Sequence, residues 1–402
     1  MINNFQNWIA GEIKAIKSKN QHRVLTQIDS GMGPEIIIDG KRFIQFASNN
    51  YLGLTMNKKI INSSKKILES YGTGTGGSRL VTGTSNLHYE LEKKIADFKS
   101  TKSSLVFSSG YLANIGTISA IMSPKDIIFS DELNHASLID GARISKAKIV
   151  IYKHCDMKDL EKKLKLVSTR KNIRKMILTD SIFSMDGDIA PLDEIVFLSK
   201  KYNCITMIDE AHATGVLGKK GSGASEMFGV EKKVDICMGT LSKAVGSVGG
   251  YIAGSKKLID FLKNKARTFI FDTSLPAPTL KASIDAIDII QNENGPRKNL
   301  HKNILNLTKF LTEEKFDFYK NDTPIIPIIF GSEIKTLKFS KLIKESGIYI
   351  PAVRPPSVPK GLSRIRITLM ANHTEKHIEK LKKVLKKIKK FNLLNLVTRK
   401  FY

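Results

Sequence analysis

Short apolar runs alternate with amphipathic stretches through the middle of the chain. Ser104–Phe107, Ile127–Phe129, Ala147–Tyr152, Lys175–Thr179, Cys204–Asp209 and Asp235–Gly239 are apolar and of strand length. Between them, Tyr111–Met122, His135–Ser145, Met157–Val167 and Pro191–Tyr202 carry apolar residues at helical spacing. Strand–helix alternation with short connections predicts an α/β fold whose mostly parallel sheet is covered by helices on both faces. Val248–Ala253 follows closely enough to return as a further, antiparallel strand, so the expectation is a seven-stranded sheet.

After Pro276 the texture changes. Helical stretches Ala277–Gln291 and Pro296–Glu314 precede a strand at Ile325–Phe330, a helix running to Gly347, extended Tyr349–Ile350, a strand at Arg364–Thr368 and a Lys-rich helix from Thr374. This mixture predicts a smaller α+β domain. The chain begins as a helix around Trp8 and continues into strand-like Glu35–Ile38 and Arg42–Ala47. The expected division is an N-terminal segment 1–45, a large domain 46–275 and a small domain 276–402.

Composition narrows the class. Of 402 residues, 41% are hydrophobic and 26% charged, which excludes wholesale disorder and leaves ample material for an enzyme-sized core. No run approaches the roughly 18 apolar residues of a membrane span. The start, Met1 to Trp8, lacks the basic flank and apolar block of a signal peptide, so a soluble, cytoplasmic protein is expected. Lys and Arg number 65 against 38 Asp and Glu, a net charge of +27 that invites a polyanionic partner. No single basic stripe is visible, however, and the excess falls in helical segments such as Lys162-Lys163 and Lys382-Lys383. Solvated helix faces are therefore preferred over a nucleic-acid-binding surface. Cys155, Cys204 and Cys237 form no pairing or metal pattern and fit reduced thiols.

Three motifs point elsewhere and fail on context. Asp209-Glu210-Ala211-His212 spells a helicase box, but no phosphate loop exists: Gly40-Lys41 and Gly218-Lys219 are followed by Arg42 and Lys220 rather than Ser or Thr. Gly72-Thr73-Gly74-Thr75-Gly76-Gly77 has dinucleotide-loop spacing but follows a helix-like segment, Ile60–Tyr71, where a strand is needed. His373 and His377 have metal-ligand spacing without a third ligand, and are expected to be solvent-exposed histidines; no metal site is expected.

Four other pieces converge, because ligands bind at the C-terminal edge of a parallel sheet. Ser108-Ser109-Gly110-Tyr111 ends a strand and opens a helix, a ready phosphate site. Asp209 ends a buried strand, where a carboxylate needs a cationic partner, and His212 follows three residues later. Lys243 sits just past a strand in Thr240-Leu241-Ser242-Lys243, before Gly246, Gly249 and Gly250, with the space a Schiff-base lysine requires. His135 opens a helix and could stack on a flat ring. A phosphate cradle, a carboxylate for a pyridine nitrogen, a lysine and a stacking ring are the requirements of pyridoxal phosphate.

These residues resemble the α-oxoamine synthases, which are fold-type I pyridoxal-phosphate enzymes. The resemblance lies in Asn50-Tyr51-Leu52-Gly53-Leu54, Ser109-Gly110-Tyr111, His135-Ala136-Ser137, Ser184-Met185-Asp186-Gly187-Asp188, Asp209–Gly215 and Thr240–Lys243, in the family's order. Arg354-Pro355-Pro356-Ser357-Val358-Pro359 with Arg364–Thr368 is most similar to the branch that condenses L-alanine with a pimeloyl thioester. That branch often has Thr where Ser357 stands, and Arg23 matches its N-terminal substrate arginine only loosely.

The resemblance implies roles for named residues. Lys243 carries pyridoxal 5′-phosphate and shuttles a proton, Asp209 pairs with the pyridine nitrogen, and His135 stacks on the ring. Ser184 and His212 bond the ring's phenolic oxygen, while Gly110, Tyr111 and Thr240 serve cofactor binding. Arg354 takes the amino acid's carboxylate, and Arg23, His135 and Ser357 complete the substrate set. The resemblance further implies a homodimer, small-molecule substrates, and an acyl donor that is either a CoA thioester or an acyl carrier protein. The alternatives are a glycine-using condensing enzyme of the same family and, outside it, a nucleic-acid-binding protein resting on the charge.

Overall fold

The computed structural model describes residues 4–170 and 172–390. Its contacts divide the chain into two units. One takes the residues up to Ser48, Met185–Gly187 and those from Asn299 onward; the other takes Asn49–Ser184 and Asp188–Lys298.

The first unit opens with a helix, Asn4–Ser18, none of whose residues is buried. Strands β1 (Glu35–Ile38) and β2 (Lys41–Gln45) then form an antiparallel hairpin. Its two-residue turn is Asp39-Gly40, both at positive φ (51° and 69°), the turn whose twist suits a hairpin.

The second unit is built on seven strands: β3 (Ser103–Phe107), β4 (Ile127–Asp131), β5 (Lys148–Tyr152), β6 (Lys175–Asp180), β7 (Ile205–Asp209), β8 (Ile236–Thr240) and β9 (Gly250–Gly254). They lie in the order β3-β9-β8-β7-β6-β4-β5. The five strands from β8 to β5 are mutually parallel, and β9 runs antiparallel to both β8 and β3. Every residue of β4, β6, β8 and β9 is buried, which is why these segments read as continuous apolar runs. On one side Leu105, Ile128, Met176, Leu178, Met207 and Ile252 pack with Ile118 and Leu138 from the covering helices.

The expected seven-stranded, mostly parallel sheet is therefore present, and its antiparallel member is the Val248–Ala253 run, shifted to 250–254. Two buried ion pairs stiffen the surrounding layer. Arg79 grips Glu92 with both guanidinium arms. Lys99 Nζ lies 2.5 Å from Glu210 Oε2 and 2.9 Å from Thr214 Oγ1, with both charged side chains almost fully buried. Burial disfavours the charge on Lys99, but Glu210 more than offsets that and raises the ammonium's pKa.

Back in the first unit, β10 (Ile325–Gly331), β11 (Ile348–Tyr349), β12 (Ala352–Val353) and β13 (Ser363–Thr368) complete two small sheets, β10-β13-β12 and β1-β2-β11. Strand β12 has two residues, too few for a periodic pattern, and the sequence gives no sign of it. Helices Glu333–Glu345 and Glu375–Lys390 belong to the same unit. His373 and His377 are not exposed as expected: only 4% and 9% of their surfaces meet solvent. His373 Nδ1 accepts from Met370 N (3.0 Å) and Nε2 lies 2.8 Å from the Gln45 carbonyl, so a neutral ring is fully satisfied. Burial lowers its pKa to about 3. The rings accept the backbone N–H groups of Met370 and Thr374 just before the last helix, a use that i,i+4 spacing does not advertise. Among the described residues no helix is long and apolar enough to cross a membrane.

Candidate active site

Parallel strands align their C-terminal ends, and β6, β7 and β8 end at Asp180, Asp209 and Thr240. A cavity of about 230 Å³ opens there, lined by Gly110, Tyr111, His135, Asp209, His212, Thr240 and Lys243 among others. Seven residues singled out in the sequence, more than a hundred positions apart at the extremes, are thus brought to one place in the second unit.

One wall is the start of helix Gly110–Ile121. Ser109 caps it, its Oγ accepting from Leu112 N at 3.1 Å. The glycine at 250 is required by its neighbours: a Cβ there would fall 2.5 Å from the backbone of Gly110. Strand β9 can approach the helix start only because position 250 lacks a side chain. The Tyr111 ring stands half in solvent, its hydroxyl on Asp140, a bond that raises the phenol's pKa.

Asp209 is 3% exposed. Its Oδ1 accepts from Ala211 N (2.8 Å) and its Oδ2 from Asn114 Nδ2 (2.8 Å). Asp180 faces it across the β6–β7 register and also lines the cavity. Burial first, and then the neighbouring Asp209, push the Asp180 carboxyl well above the usual range. Its Oδ2 accepts the backbone N–H of His135 at 2.7 Å. The His135 ring lies at the cavity wall, where loss of water lowers its pKa against the pull of Asp209. His212 is buried, with Nδ1 2.6 Å from the hydroxyl of the fully buried Tyr51.

Lys243 follows β8 in a turn closed by Leu241 N to Gly249 O (2.9 Å) and Ser247 N to Leu241 O (2.8 Å). Gly246 at φ 73° has no room for a Cβ, which would lie 2.8 Å from Thr55 N. The Thr240 hydroxyl donates to the Gly249 carbonyl (2.9 Å) and lies 2.8 Å from Ser242 Oγ.

Ser184 stands in a hairpin leaving β6. The hairpin is closed by the Ile182–Ile189 bridge and by Phe183 N to Asp188 O (3.0 Å), and Ser181 N ties its base to the Asp209 carbonyl (2.8 Å). Asp188 is anchored in turn by His154, whose Nε2 lies 2.5 Å from Asp188 Oδ2 and whose Nδ1 lies 2.9 Å from Asp131 Oδ1. An imidazole between two carboxylates carries both protons: hydrogen bonds to Asp131 and Asp188 raise the pKa far above 6.5, overcoming the opposing effect of burial.

Of the proposed substrate residues, Arg23, Arg354 and Ser357 lie in the first unit and His135 in the second. Arg354 donates from Nη1 to the Asn20 carbonyl and from Nη2 to that of His22 (3.3 Å). Its Nε is buried without a hydrogen-bond partner. Burial and the charge of Arg23 lower its pKa. Arg23 Nη2 lies 3.1 Å from the Pro355 carbonyl, so Arg23 and Arg354, far apart in sequence, meet. Ser357 N closes the turn onto the Arg354 carbonyl (3.1 Å). Sequence reasoning missed Asn114, Ser137, Asp180 and Tyr51 as parts of the site. Asn114 lies inside a predicted helix and Asp180 just past a predicted strand, but nothing in spacing shows which way they turn.

The family model for class I and II aminotransferases matches residues 41–385. The 8-amino-7-oxononanoate synthase of Lysinibacillus sphaericus is 48% identical over 94% of this chain and 96% of its own length. The 8-amino-7-oxononanoate synthase 2 of Bacillus subtilis is 47% identical over 93% and 95%. Among solved structures, a serine palmitoyltransferase from S. paucimobilis with a bound PLP–myriocin aldimine superposes with a TM-score of 0.90 at 30% identity, covering 96% of this chain and 98% of that one. The 8-amino-7-oxononanoate synthase of Francisella tularensis gives 0.74 at 27% identity, covering 87% and 98%.

The Asp131–His154–Asp188 clamp makes stability depend on pH. Because the folded pKa of His154 is raised, its contribution is fully present below ~6.5, the value of a free histidine, and is lost as pH rises toward the folded pKa. His154→Gln should therefore destabilise the protein by about 2–4 kcal/mol at pH 6, and the gap to the parent should narrow by up to about 1.4 kcal/mol per pH unit above that. Urea denaturation of both proteins from pH 6 to 9 measures this. A gap that stays constant or widens with pH contradicts it.

Proposed function

Because the chain belongs to the class I and II aminotransferase family, we propose that its site condenses L-alanine with a pimeloyl thioester. The products are 8-amino-7-oxononanoate, carbon dioxide and the free thiol, a step of biotin biosynthesis carried out in the cytoplasm. Carbon balance is direct: the new bond joins the alanine α-carbon to the acyl carbonyl, the thiol leaves from the acyl group, and alanine's carboxylate departs as carbon dioxide. The observation that supports the choice within the family is identity: two relatives bearing this activity's name are 48% and 47% identical to this chain over more than nine-tenths of its length.

The protein is a pyridoxal-phosphate enzyme of the acyltransferase kind. The cavity fits the cofactor on its own geometry: a helix start without side chains at Gly110, a buried carboxylate at Asp209 and a lysine in one pocket. Bound there, pyridoxal phosphate supplies an electron sink for a carbanion at the amino acid's α-carbon. Lys243 Nζ would hold the cofactor covalently and then move the α-proton. Asp209 would keep the pyridine nitrogen protonated, and His135 would cover the ring face. Ser184 and His212 would bond its phenolic oxygen. The N–H groups of Gly110 and Tyr111, with the Thr240 hydroxyl, would serve the phosphate. Arg354 is assigned the amino acid's carboxylate. Its unpartnered Nε–H supports this, since an orphaned guanidinium donor is satisfied by a carboxylate oxygen. Arg23 and Ser357 flank that position in the same unit. The charge of +27 suits a polyphosphate-bearing or acidic acyl donor, CoA or a carrier protein, through steering.

The enzyme is further proposed to act as a homodimer. Loops Gly72–Ser78 and Phe271–Ser274 are hydrogen-bonded to each other through Ser274 N to Gly77 O (3.1 Å) and Thr75 Oγ1 to Ser274 O (2.9 Å). Around them Leu80, Val81 and Phe271 are turned to solvent at 56%, 84% and 69% exposure, an apolar surface suited to a second copy. Light scattering should give a dimer at assay concentration; an active monomer would overturn the assignment.

Substrate choice is tested by assaying alanine, glycine and serine against pimeloyl-CoA, a pimeloyl carrier protein and acetyl-CoA. Alanine should exceed glycine by roughly 10-fold, the scale of one methyl in a fitted pocket. A preference for glycine or serine, or for the acetyl donor, assigns the chain to another condensation.

A further inference from the structure

The wall of the cavity holds a chain of hydrogen bonds that none of these roles uses. Asn114 and Ser137 are buried, at 0% and 1% exposure. Asn114 Nδ2 lies 2.8 Å from Asp209 Oδ2 and 2.8 Å from Ser137 Oγ. Ser137 Oγ lies 2.8 Å from His135 Nδ1.

The direction of every bond follows from donor inventory. A carboxylate only accepts, so the amide must turn its NH2 toward Asp209. The cost of that orientation is visible: Asn114 Oδ1 is buried with no partner. The second amide proton goes to Ser137 Oγ, which then has its own proton to give, and His135 Nδ1 is within reach. The backbone N–H of Ser137, 3.3 Å from the same nitrogen, points a second donor at it. A ring nitrogen facing two donors presents a lone pair, so the ring proton is on Nε2 and the ring is neutral. The lowered pKa of His135 agrees with this arrangement.

We propose that Asn114 and Ser137 are positioning residues that hold Asp209 Oδ2 and fix His135 as the neutral tautomer protonated on Nε2. The purpose rests on the function proposed above. A pyridine nitrogen kept protonated by Asp209 carries positive charge, and an imidazolium stacked on the same ring would repel it. One amide thus steadies the anion beneath the pyridine nitrogen and, through one hydroxyl, keeps the covering ring uncharged. The tautomer itself is a property of this chain and is measurable without turnover.

The test is long-range ¹H–¹⁵N NMR on the full chain labelled with ¹⁵N-histidine and loaded with pyridoxal phosphate. The protein has eight histidines, and His135 is assigned by the signal that His135→Gln removes. At neutral pH its Nε2 should be protonated and its Nδ1 not. In Ser137→Ala the ring's titration midpoint should rise by about one pH unit, the equivalent of one hydrogen bond. A wild-type ring protonated on Nδ1, or an imidazolium at neutral pH, overturns the proposal, and so does an unchanged midpoint in the variant. Should Ser137→Ala not fold, the wild-type tautomer alone decides. A wild-type chain that takes up no pyridoxal phosphate overturns the function proposed above instead, and the tautomer, read on the unloaded chain, still decides the relay.

Discussion

A carboxylate buried at the end of a strand must be bonded on both oxygens and must face a cation, and Asp209 imposes that demand on everything around it. Its oxygens are met by Ala211 N and by Asn114 Nδ2, so the turn after β7 and the helix after β3 are both fixed by one side chain. A second acid, Asp180, stands opposite it in the neighbouring strand. Burial and the neighbouring Asp209 raise the pKa of the Asp180 carboxyl. Asp209 lines the cavity at the end of its strand, the position from which the proposed function has it meet a ring nitrogen.

The four residues from Asp209 show how a strand end divides structural from chemical duty. Asp209 and His212 face the cavity, and His212 is braced by Tyr51. Glu210, between them in sequence, turns the other way onto Lys99, Ser225 N and Cys237. A segment that spells a helicase box in one dimension is, in three, a carboxylate at the cavity, a buried structural ion pair and an imidazole braced by a tyrosine. The neighbouring hairpin obeys the same logic. Ser184 is held because Ser181 bonds the Asp209 carbonyl and Asp188 is clamped by His154.

How much of this was legible follows from what each feature depends on. The parallel strands are buried on both faces, so their apolar runs and the helical spacing between them announce the sheet. Gly110, Asp209 and Lys243 are legible because they sit where a strand stops and a polar or small residue interrupts an apolar run. Asn114 and Ser137 lie inside helices, where an amide or a hydroxyl is ordinary, and only the crossing of the two helices turns them toward each other. His373 and His377 mislead for the opposite reason: spacing suggests exposure, while the Gln45 carbonyl and Glu35, more than three hundred residues earlier, receive their rings. The pairing of Arg23 with the carbonyls of Arg354 and Pro355 is equally long-range and leaves no local trace.

The account stands on Lys243 being the lysine that carries the cofactor, out of a chain with dozens of others. Borohydride reduction of the pyridoxal-phosphate-loaded protein, followed by proteolysis and mass spectrometry, tests this directly. The account predicts a single modified peptide, with the cofactor's mass on Lys243, and no such peptide from Lys243→Ala. Modification at a different lysine, or an unlabelled protein, contradicts it.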